Sequence, residues 1–187
     1  MATDLRSAAA CDIPQLLLPP ATEFDEQTAA AVERSGLTAL YSQFGHAPGM
    51  IDQWFAFYMP MVHGGALELR TKELCRLRVA GHNGCMMCLG GRFSDDAGVQ
   101  VVDEDDVDAL LAGRFDDPRF TPRETAALVF TETFRTDHTA VDKALVDDTL
   151  EHLTPGELIE LSICIAQFTG MGQLFAMLGL PSPVPAG

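Results

Sequence analysis

The hydrophobic and polar positions along this chain follow a helical period through almost its whole length. The pattern covers residues 24–34, 37–44, 48–63, 67–82, 85–94, 103–111, 121–134, 139–153 and 154–179. Apolar residues that recur three and four positions apart are typical of helices that bury one face, and no hairpin turn signal interrupts them. The sequence therefore predicts an all-α bundle in one domain, residues 23–181, with an N-terminal arm, residues 1–22, and a tail, residues 182–187.

Several helix ends are marked by local signals. Residues 121–124 and 154–157 both read Thr-Pro-x-Glu, which is a capping box with proline at the first helical position. Asn83-Gly84 predicts a stop for the helix over 67–82. Pro60 predicts a kink or break in the segment 48–63, whose apolar residues cover most sides and indicate a buried or subunit-interface helix. Near the C-terminus, the glycines of Gly-Met-Gly, residues 170–172, predict a close helix crossing.

Composition and charge narrow the classes of partner. The formal net charge of -15 disfavours nucleic acid and anionic membrane surfaces, because both are polyanions. We find no signal-peptide pattern and expect no membrane-spanning segment, so the sequence predicts a cytoplasmic protein. In that compartment thiols stay reduced, and a Cys-x-x-Cys is then more often catalytic or metal-binding than structural.

Cys85 and Cys88 form such a pair directly after the Asn83-Gly84 stop. At a helix start, free N–H groups and the helix dipole favour thiolate, as would the positive charge of Arg92. The pair can therefore support thiol–disulfide exchange or peroxide reduction. Two small buried core cysteines are an open alternative.

A zinc site is a third interpretation of the cysteines. Cys75, His82, Cys85 and Cys88 supply three thiols and an imidazole, but Cys75 lies two helical turns before His82, so all four converge only if the chain folds back sharply. The five histidines form no further metal-like cluster.

Glu73 is the carboxylate nearest to the thiols in sequence and could pass protons if it is partly buried. However, Arg70 and Arg76 lie three residues to either side, and Glu68–Lys72 is an i,i+4 pair. This spacing by itself favours a solvated ion-pair face on the helix.

Four segments of the chain are similar to those of a known superfamily: LRTKELCRLRVAGHNGCMMC, FGHAPGMIDQWFAFYMPMVHGGALELR, FTPRETAALVFTETF and LTPGELIELSICIAQFTGMGQLFAMLG. Over about residues 35–180 the chain thus resembles the carboxymuconolactone decarboxylase / alkylhydroperoxidase D (AhpD-like) superfamily. The resemblance implies an all-helical fold that assembles as a homo-oligomer, a trimer or a hexamer. It also implies activity on a small molecule without an organic cofactor.

In the alkylhydroperoxidase D branch a glutamate precedes the first cysteine by eleven intervening residues, as Glu73 precedes Cys85 here. The resemblance implies that Cys88 attacks the peroxide, that Cys85 resolves the product and that Glu73 assists proton transfer. Met87 and Arg92 stand where that branch has the two histidines of its proton relay. Without these histidines we expect less efficient peroxide reduction, whereas the dithiol–disulfide couple does not depend on them. His82 is a candidate to replace one of the missing histidines.

Three functional hypotheses follow. The first is a hydroperoxide-reducing thiol oxidoreductase that a cellular dithiol donor regenerates. The second is a cofactor-free lyase of the decarboxylase branch, in which Arg92 grips a substrate carboxylate; its alternative role is a surface ion pair with Asp95 or Asp96. The third is a non-catalytic helical oligomer that uses the thiols for structure or metal.

Overall fold

The computed structural model describes residues 2–6, 24, 26–47 and 49–183, and within these residues the chain is helical without a β-strand. In chain order the helices are α1 (Glu26–Ser35), α2 (Thr38–Phe44), α3 (Met50–His63), α4 (Leu69–Asn83), α5 (Met86–Gly90), α6 (Glu104–Leu111), α7 (Pro122–Thr136), α8 (Lys143–Leu150) and α9 (Pro155–Met177). A short 3₁₀ turn, His138–Ala140, precedes α8. The all-α prediction is confirmed.

Helix α4 forms the centre of the bundle. It packs against α9, α7 and α6 and, at its ends, against α3 and α5. Of its 15 residues, 12 are buried. Because neighbours surround it on nearly all sides, this helix has no solvated face, although its sequence is rich in charge.

The charged residues of α4 therefore find partners on other elements. Lys72 is fully buried, pairs with Glu160 of α9 and donates to backbone carbonyls at the end of α3. Glu68, the expected partner of Lys72, pairs with Arg123 of α7. The solvated ion-pair face predicted for this helix is wrong, because a buried charge is tolerated only when it is paired and hydrogen-bonded.

The predicted capping boxes are confirmed at two helix starts. The Thr121 hydroxyl accepts a hydrogen bond from the Glu124 N–H, and the Glu124 carboxylate accepts one from the Thr121 N–H. The same reciprocal pair links Thr154 and Glu157 at the start of α9. These caps satisfy N–H groups that have no partner within the helix, so local sequence alone defines these two ends.

Two predictions about helix continuity are corrected. Helix α3 does not break at Pro60 but continues to His63, and the alternative of a kink there stays a prediction. Helix α5 ends at Gly90, four residues earlier than the pattern predicted, because Gly91 is extended. The pattern of α3 predicted a buried or subunit-interface helix. Within the chain Met50, Phe57 and Met59 are about half exposed, so the interface stays the open alternative.

Helix α9 bears on the expectation that no segment of the chain spans a membrane. Its 23 residues are long and apolar enough for that by length and composition alone. In the structure α9 packs against α4, α5, α7 and α8, and a core helix of a soluble protein passes the same test. Packing in the bundle therefore accounts for the apolar residues on its inner face, such as Leu161 and Ile165, whereas Ile159 and Ile163 are exposed.

The start of the N-terminal arm is docked onto the bundle. Leu5 is buried and its N–H donates to the carbonyl of Leu111 at 2.7 Å. The carbonyl of Thr3 accepts a hydrogen bond from Arg78 at 2.6 Å. Residue 1 and residues 7–22 of the arm, and residues 184–187 of the tail, lie outside the described residues, so the predicted limits of the arm and tail stay predictions.

The Arg78–Glu132 pair gives a prediction for stability against pH. Burial would raise the pKa of Glu132, but hydrogen bonds from His82 and Arg78 outweigh it and lower the pKa from 4.5 to about 2. This carboxylate therefore stabilises the fold above pH 4.5, and the contribution is lost as the pH falls from 4.5 towards 2. We expect Glu132→Gln to lower the free energy of unfolding at pH 7 by about 3 kcal/mol, because it leaves the Arg78 guanidinium buried and unpaired.

Urea denaturation at pH 7 and at pH 3 measures both effects. The difference between wild type and Glu132→Gln is expected to shrink at the lower pH. The control is Lys143→Ala, which removes an exposed pair with Asp147 and is expected to change the free energy by less than about 0.5 kcal/mol. A Glu132→Gln effect as small as that of the control would contradict the prediction.

Candidate functional site

The two cysteines of the Cys-x-x-Cys lie on the turn that joins α4 to α5. Gly84 adopts the left-handed conformation (φ 60°) and ends α4, and Cys85 caps the N-terminus of α5. The Cys88 N–H donates to the Cys85 sulfur at 3.2 Å, and the two sulfurs form a disulfide with their Cα atoms 5.2 Å apart. The predicted glycine stop thus brings the thiols within bonding contact.

The two sulfur positions differ in their access to solvent. Cys85 is 0% exposed, whereas Cys88 lines a cavity of about 200 Å³. A reagent in this cavity therefore meets Cys88 first. Cys85 is placed to react only with its neighbour.

The cavity lies between α3, α4, α5 and α9. Its wall is mostly aromatic and aliphatic, with Trp54, Phe55, Tyr58, Phe93, Phe168 and Phe175 as the aromatic residues. Arg76 and Arg92 are the charged residues of the wall, and no carboxylate or imidazole is among the described residues that line it. Burial raises the pKa of Tyr58 to about 12, so this phenol stays protonated at neutral pH.

Glu73 lies behind the cysteine turn in a buried ion pair with Arg76. The two Glu73 oxygens accept hydrogen bonds from Arg76 Nε at 2.6 Å and Nη2 at 2.8 Å. One of them also accepts the Phe93 N–H at 3.0 Å. Glu73 is 0% exposed, so the carboxylate is committed to these three donors.

Arg76 connects this carboxylate to the cysteine turn. Its guanidinium donates to the carbonyls of Cys88 and Gly91 and lies 4.7 Å from the centre of the Phe93 ring. Burial would lower the pKa of Arg76, but Glu73 outweighs burial and raises it. Sequence reasoning missed this residue. Its spacing from Glu73 was visible, but the burial that makes it part of the site was not.

Arg92 binds the same C-terminal end of α5 as Arg76 does. Its Nη1 donates to the carbonyls of Leu89 and Gly91 at 2.6 and 2.8 Å. Its Nε and Nη2 hold both oxygens of Glu104 at 3.1 and 3.0 Å. The alternative pairing with Asp95 or Asp96 is therefore wrong, and the two arginines together satisfy carbonyls that α5 leaves without helical partners.

Asn83 ties the turn to α9. Its Nδ2 donates to the carbonyl of Phe168 at 3.1 Å, and its Oδ1 accepts from Arg135 at 2.9 Å. A Cβ at Gly172 would lie 2.4 Å from this Nδ2, so the glycine is what lets α9 approach. The predicted close crossing is confirmed at Gly172, whereas Gly170 faces open space.

His82 lies on another side of α4. Its Nε2 is 2.8 Å from a Glu132 oxygen on α7, and His82 is not among the residues of the cavity wall. The structure thus joins Cys85, Cys88, Glu73 and Arg92 around one turn and leaves His82 apart. Its role as a stand-in for a relay histidine stays a prediction.

The zinc set does not assemble. Cys75 is fully buried in the core, where burial raises the pKa of its thiol to about 12, and His82 is engaged with Glu132. Across the part of the chain that the structure describes, no three His, Cys, Asp or Glu side chains are placed to hold a metal ion. The four ligands converge only if the chain folds back between Cys75 and His82, and α4 instead continues as one helix to Asn83.

Residues 48–133 of the chain match the model of the carboxymuconolactone decarboxylase family. This segment is a little under half of the chain and contains Glu73, both cysteines of the pair and Arg92. No curated protein matches the chain significantly. The match over residues 48–133 confirms the resemblance to the carboxymuconolactone decarboxylase family in this segment.

Two solved structures share the fold. One is the alkylhydroperoxidase AhpD core of an uncharacterised peroxidase-related protein from Ralstonia eutropha JMP134, with 16% identity, a TM-score of 0.68, and coverage of 92% of this chain and 94% of that one. The other is a protein of unknown function from Agrobacterium tumefaciens, proposed to be an antioxidant defence protein AhpD. It has 19% identity and a TM-score of 0.64, and the match covers 76% of this chain and 97% of that one. At these identities the likeness concerns the fold.

The difference in access between the two sulfurs gives a prediction for alkylation. After reduction of the folded protein, we expect iodoacetamide to modify Cys88 first and Cys85 more slowly, because only Cys88 lines the cavity. Cys75 and Cys164 serve as internal controls that should stay unmodified, since burial raises the pKa of their thiols to about 12 and about 11. Peptide mass mapping over time measures the order, and faster modification of Cys85 would rule the assignment out.

Proposed function

We propose that this chain, which resembles the carboxymuconolactone decarboxylase / AhpD-like superfamily, is a thiol–disulfide oxidoreductase that reduces hydroperoxides through Cys85 and Cys88. The observation that carries the proposal is the bonded pair of sulfurs, one on a cavity wall and the other sealed behind it. An attacking thiol needs access to its oxidant, and a resolving thiol needs access only to the attacking one.

The reaction balances in three steps. The Cys88 thiolate attacks the terminal oxygen of a hydroperoxide, the O–O bond breaks, and a sulfenic acid and an alcohol result once the leaving oxygen takes a proton. The Cys85 thiol then attacks the sulfenic sulfur, which releases water and forms the disulfide. A cellular dithiol reduces this disulfide through a mixed disulfide and is itself oxidised.

The surrounding charges suit the thiolate form of Cys88. Two guanidiniums, those of Arg76 and Arg92, bind backbone carbonyls at the C-terminal end of α5, and positive charge near a cysteine favours thiolate. Neither arginine releases a proton at neutral pH, so protons would come from water or from another group. The contacts of Glu73 support a positioning role through Arg76. Its part in proton transfer remains a prediction.

A lyase of the decarboxylase branch is the second candidate. The presence of Arg92 in the cavity wall favours it, because a guanidinium there can hold the carboxylate of a small acid or lactone. The thiols would then be dispensable for turnover. Activity that survives alkylation of Cys88 but is lost in Arg92→Ala would therefore favour the lyase over the oxidoreductase.

We further propose that the chain works as a homo-oligomer, a trimer or a hexamer, as a soluble cytoplasmic protein. Exposed apolar side chains support the association. Ile159 and Ile163 lie one turn apart on α9 and are 63% and 47% exposed, and Phe57 of α3 is 50% exposed. Exposed apolar groups on neighbouring turns are typical of surfaces that pair with another protein.

The proposed function predicts hydroperoxide consumption in the presence of a dithiol donor. We expect wild type to consume cumene hydroperoxide with dihydrolipoamide as donor, and Cys88→Ser to lose this activity because the attacking sulfur is gone. Without the donor, Cys85→Ser should perform one turnover and stop as a sulfenic acid that dimedone traps.

The matched control for this assay is Cys164→Ala, which removes a cysteine from the core outside the cavity and should keep its rate. The assay follows loss of peroxide and oxidation of the donor together. Equal rates for Cys88→Ser and wild type would sink the mechanism.

The assembly proposal predicts the effect of charge on the exposed face of α9. Ile159→Glu is expected to lower the molar mass in solution towards that of one chain, because burying an unpaired carboxylate at an interface is costly. Light scattering after size-exclusion chromatography measures the mass. The control is Lys143→Glu on exposed α8, and an unchanged mass for Ile159→Glu would place any interface elsewhere.

A further inference from the structure

We infer that the cavity beside Cys88 selects an organic monoanion with an apolar body, whose carboxylate binds Arg92 in exchange for Glu104. The inference rests on the proposed function in one respect, the identity of the substrate. If the chain reduces hydroperoxides, its oxidant would be a carboxylate-bearing organic hydroperoxide rather than hydrogen peroxide. Binding itself is a separate property that needs no turnover.

The first observation is the sign of charge in the cavity wall. The chain carries a formal net charge of -15, with 27 acidic and 12 basic residues. Yet the described residues of the wall include two guanidiniums and no carboxylate. An apolar cavity with only positive charge at its surface concentrates anions, because the low-dielectric walls strengthen the attraction.

The second observation is the way in which Arg92 is held. Its Nη1 is fixed by the carbonyls of Leu89 and Gly91, whereas its Nε and Nη2 edge faces a carboxylate, that of Glu104. This edge is the fork that binds carboxylates through two parallel hydrogen bonds. A ligand carboxylate could take the place of Glu104 without any movement of the arginine backbone contacts.

The third observation is the unequal exposure of the pair. The Arg92 side chain is 12% exposed, whereas that of Glu104 is 77% exposed. Such a solvent-facing carboxylate contributes little to its ion pair and is readily rehydrated. Glu104 therefore acts as an exchangeable partner that keeps Arg92 aligned until an anion with an apolar body displaces it.

Arg92 is the cationic group of the cavity wall that can bind the anion, because Arg76 has other partners. Arg76 is committed to Glu73 and to the carbonyls of Cys88 and Gly91. Trp54 belongs to the aromatic wall, whose side chains would pack against the apolar body of the ligand.

The test uses Trp54, the single tryptophan of the chain. Its emission is followed while the full-length disulfide form is titrated at pH 7 with 4-phenylbutyrate or with the neutral 4-phenylbutanamide. We expect the carboxylate to bind at least about ten-fold more tightly than the amide, as a charge-assisted bidentate contact predicts. Arg92→Met should remove this preference.

The most specific expectation concerns Glu104→Gln. This variant should bind the carboxylate more tightly than wild type and the amide equally well, because the competing carboxylate is gone. A purely structural role for the Arg92–Glu104 pair would weaken binding or leave it unchanged. The control is Arg114→Met, which removes an exposed pair with Asp108 and should not change either affinity.

Two results overturn the inference: equal affinity for the two probes, or a Glu104→Gln variant that binds the carboxylate no more tightly than wild type. If Arg92→Met fails to fold, Glu104→Gln decides alone, since its side chain is exposed. Cys88→Ser should bind the carboxylate as wild type does. A wild-type protein that binds the carboxylate but consumes no hydroperoxide would therefore count against the proposed function and not against this site.

Discussion

The buried ion pair between Glu73 and Arg76 is the interaction on which the candidate site depends. The carboxylate is sealed from solvent and takes two hydrogen bonds from the guanidinium and one from the Phe93 backbone. The guanidinium in turn binds the carbonyls of Cys88 and Gly91. A buried charge left without its partner is strongly destabilising, so this pair fixes the position of the cysteine turn relative to α4.

Around this pair the site is built from fixed charges rather than from groups that exchange protons. The cavity wall carries two arginines and no imidazole among its described residues. Fixed positive charge can favour a thiolate and orient an anion, but it cannot deliver a proton. The site thus combines a bonded cysteine pair with two guanidiniums and a mostly apolar wall.

The features that could be predicted from the sequence are those that local signals define. The Thr-Pro-x-Glu caps, the Gly84 stop and the Cys-x-x-Cys spacing act within one turn of helix, so neighbours along the chain suffice to define them. The resemblance also pointed to Glu73, whose functional role stays a prediction. In contrast, the charged pattern of α4 predicted a solvated face, because a sequence records the type of a residue and not what surrounds it. Arg76, which completes the site, was missed for the same reason.

What the sequence by itself determined is the set of helices, their capped ends and a thiol pair at a helix start, all of which follow from contacts between near neighbours. Only the tertiary structure decided that α4 is the central helix, that Cys85 is sealed while Cys88 meets a cavity, and that Glu104 is the partner of Arg92. These facts depend on which helices pack around α4. Packing sums many weak contacts between residues far apart in the chain, which no local pattern encodes.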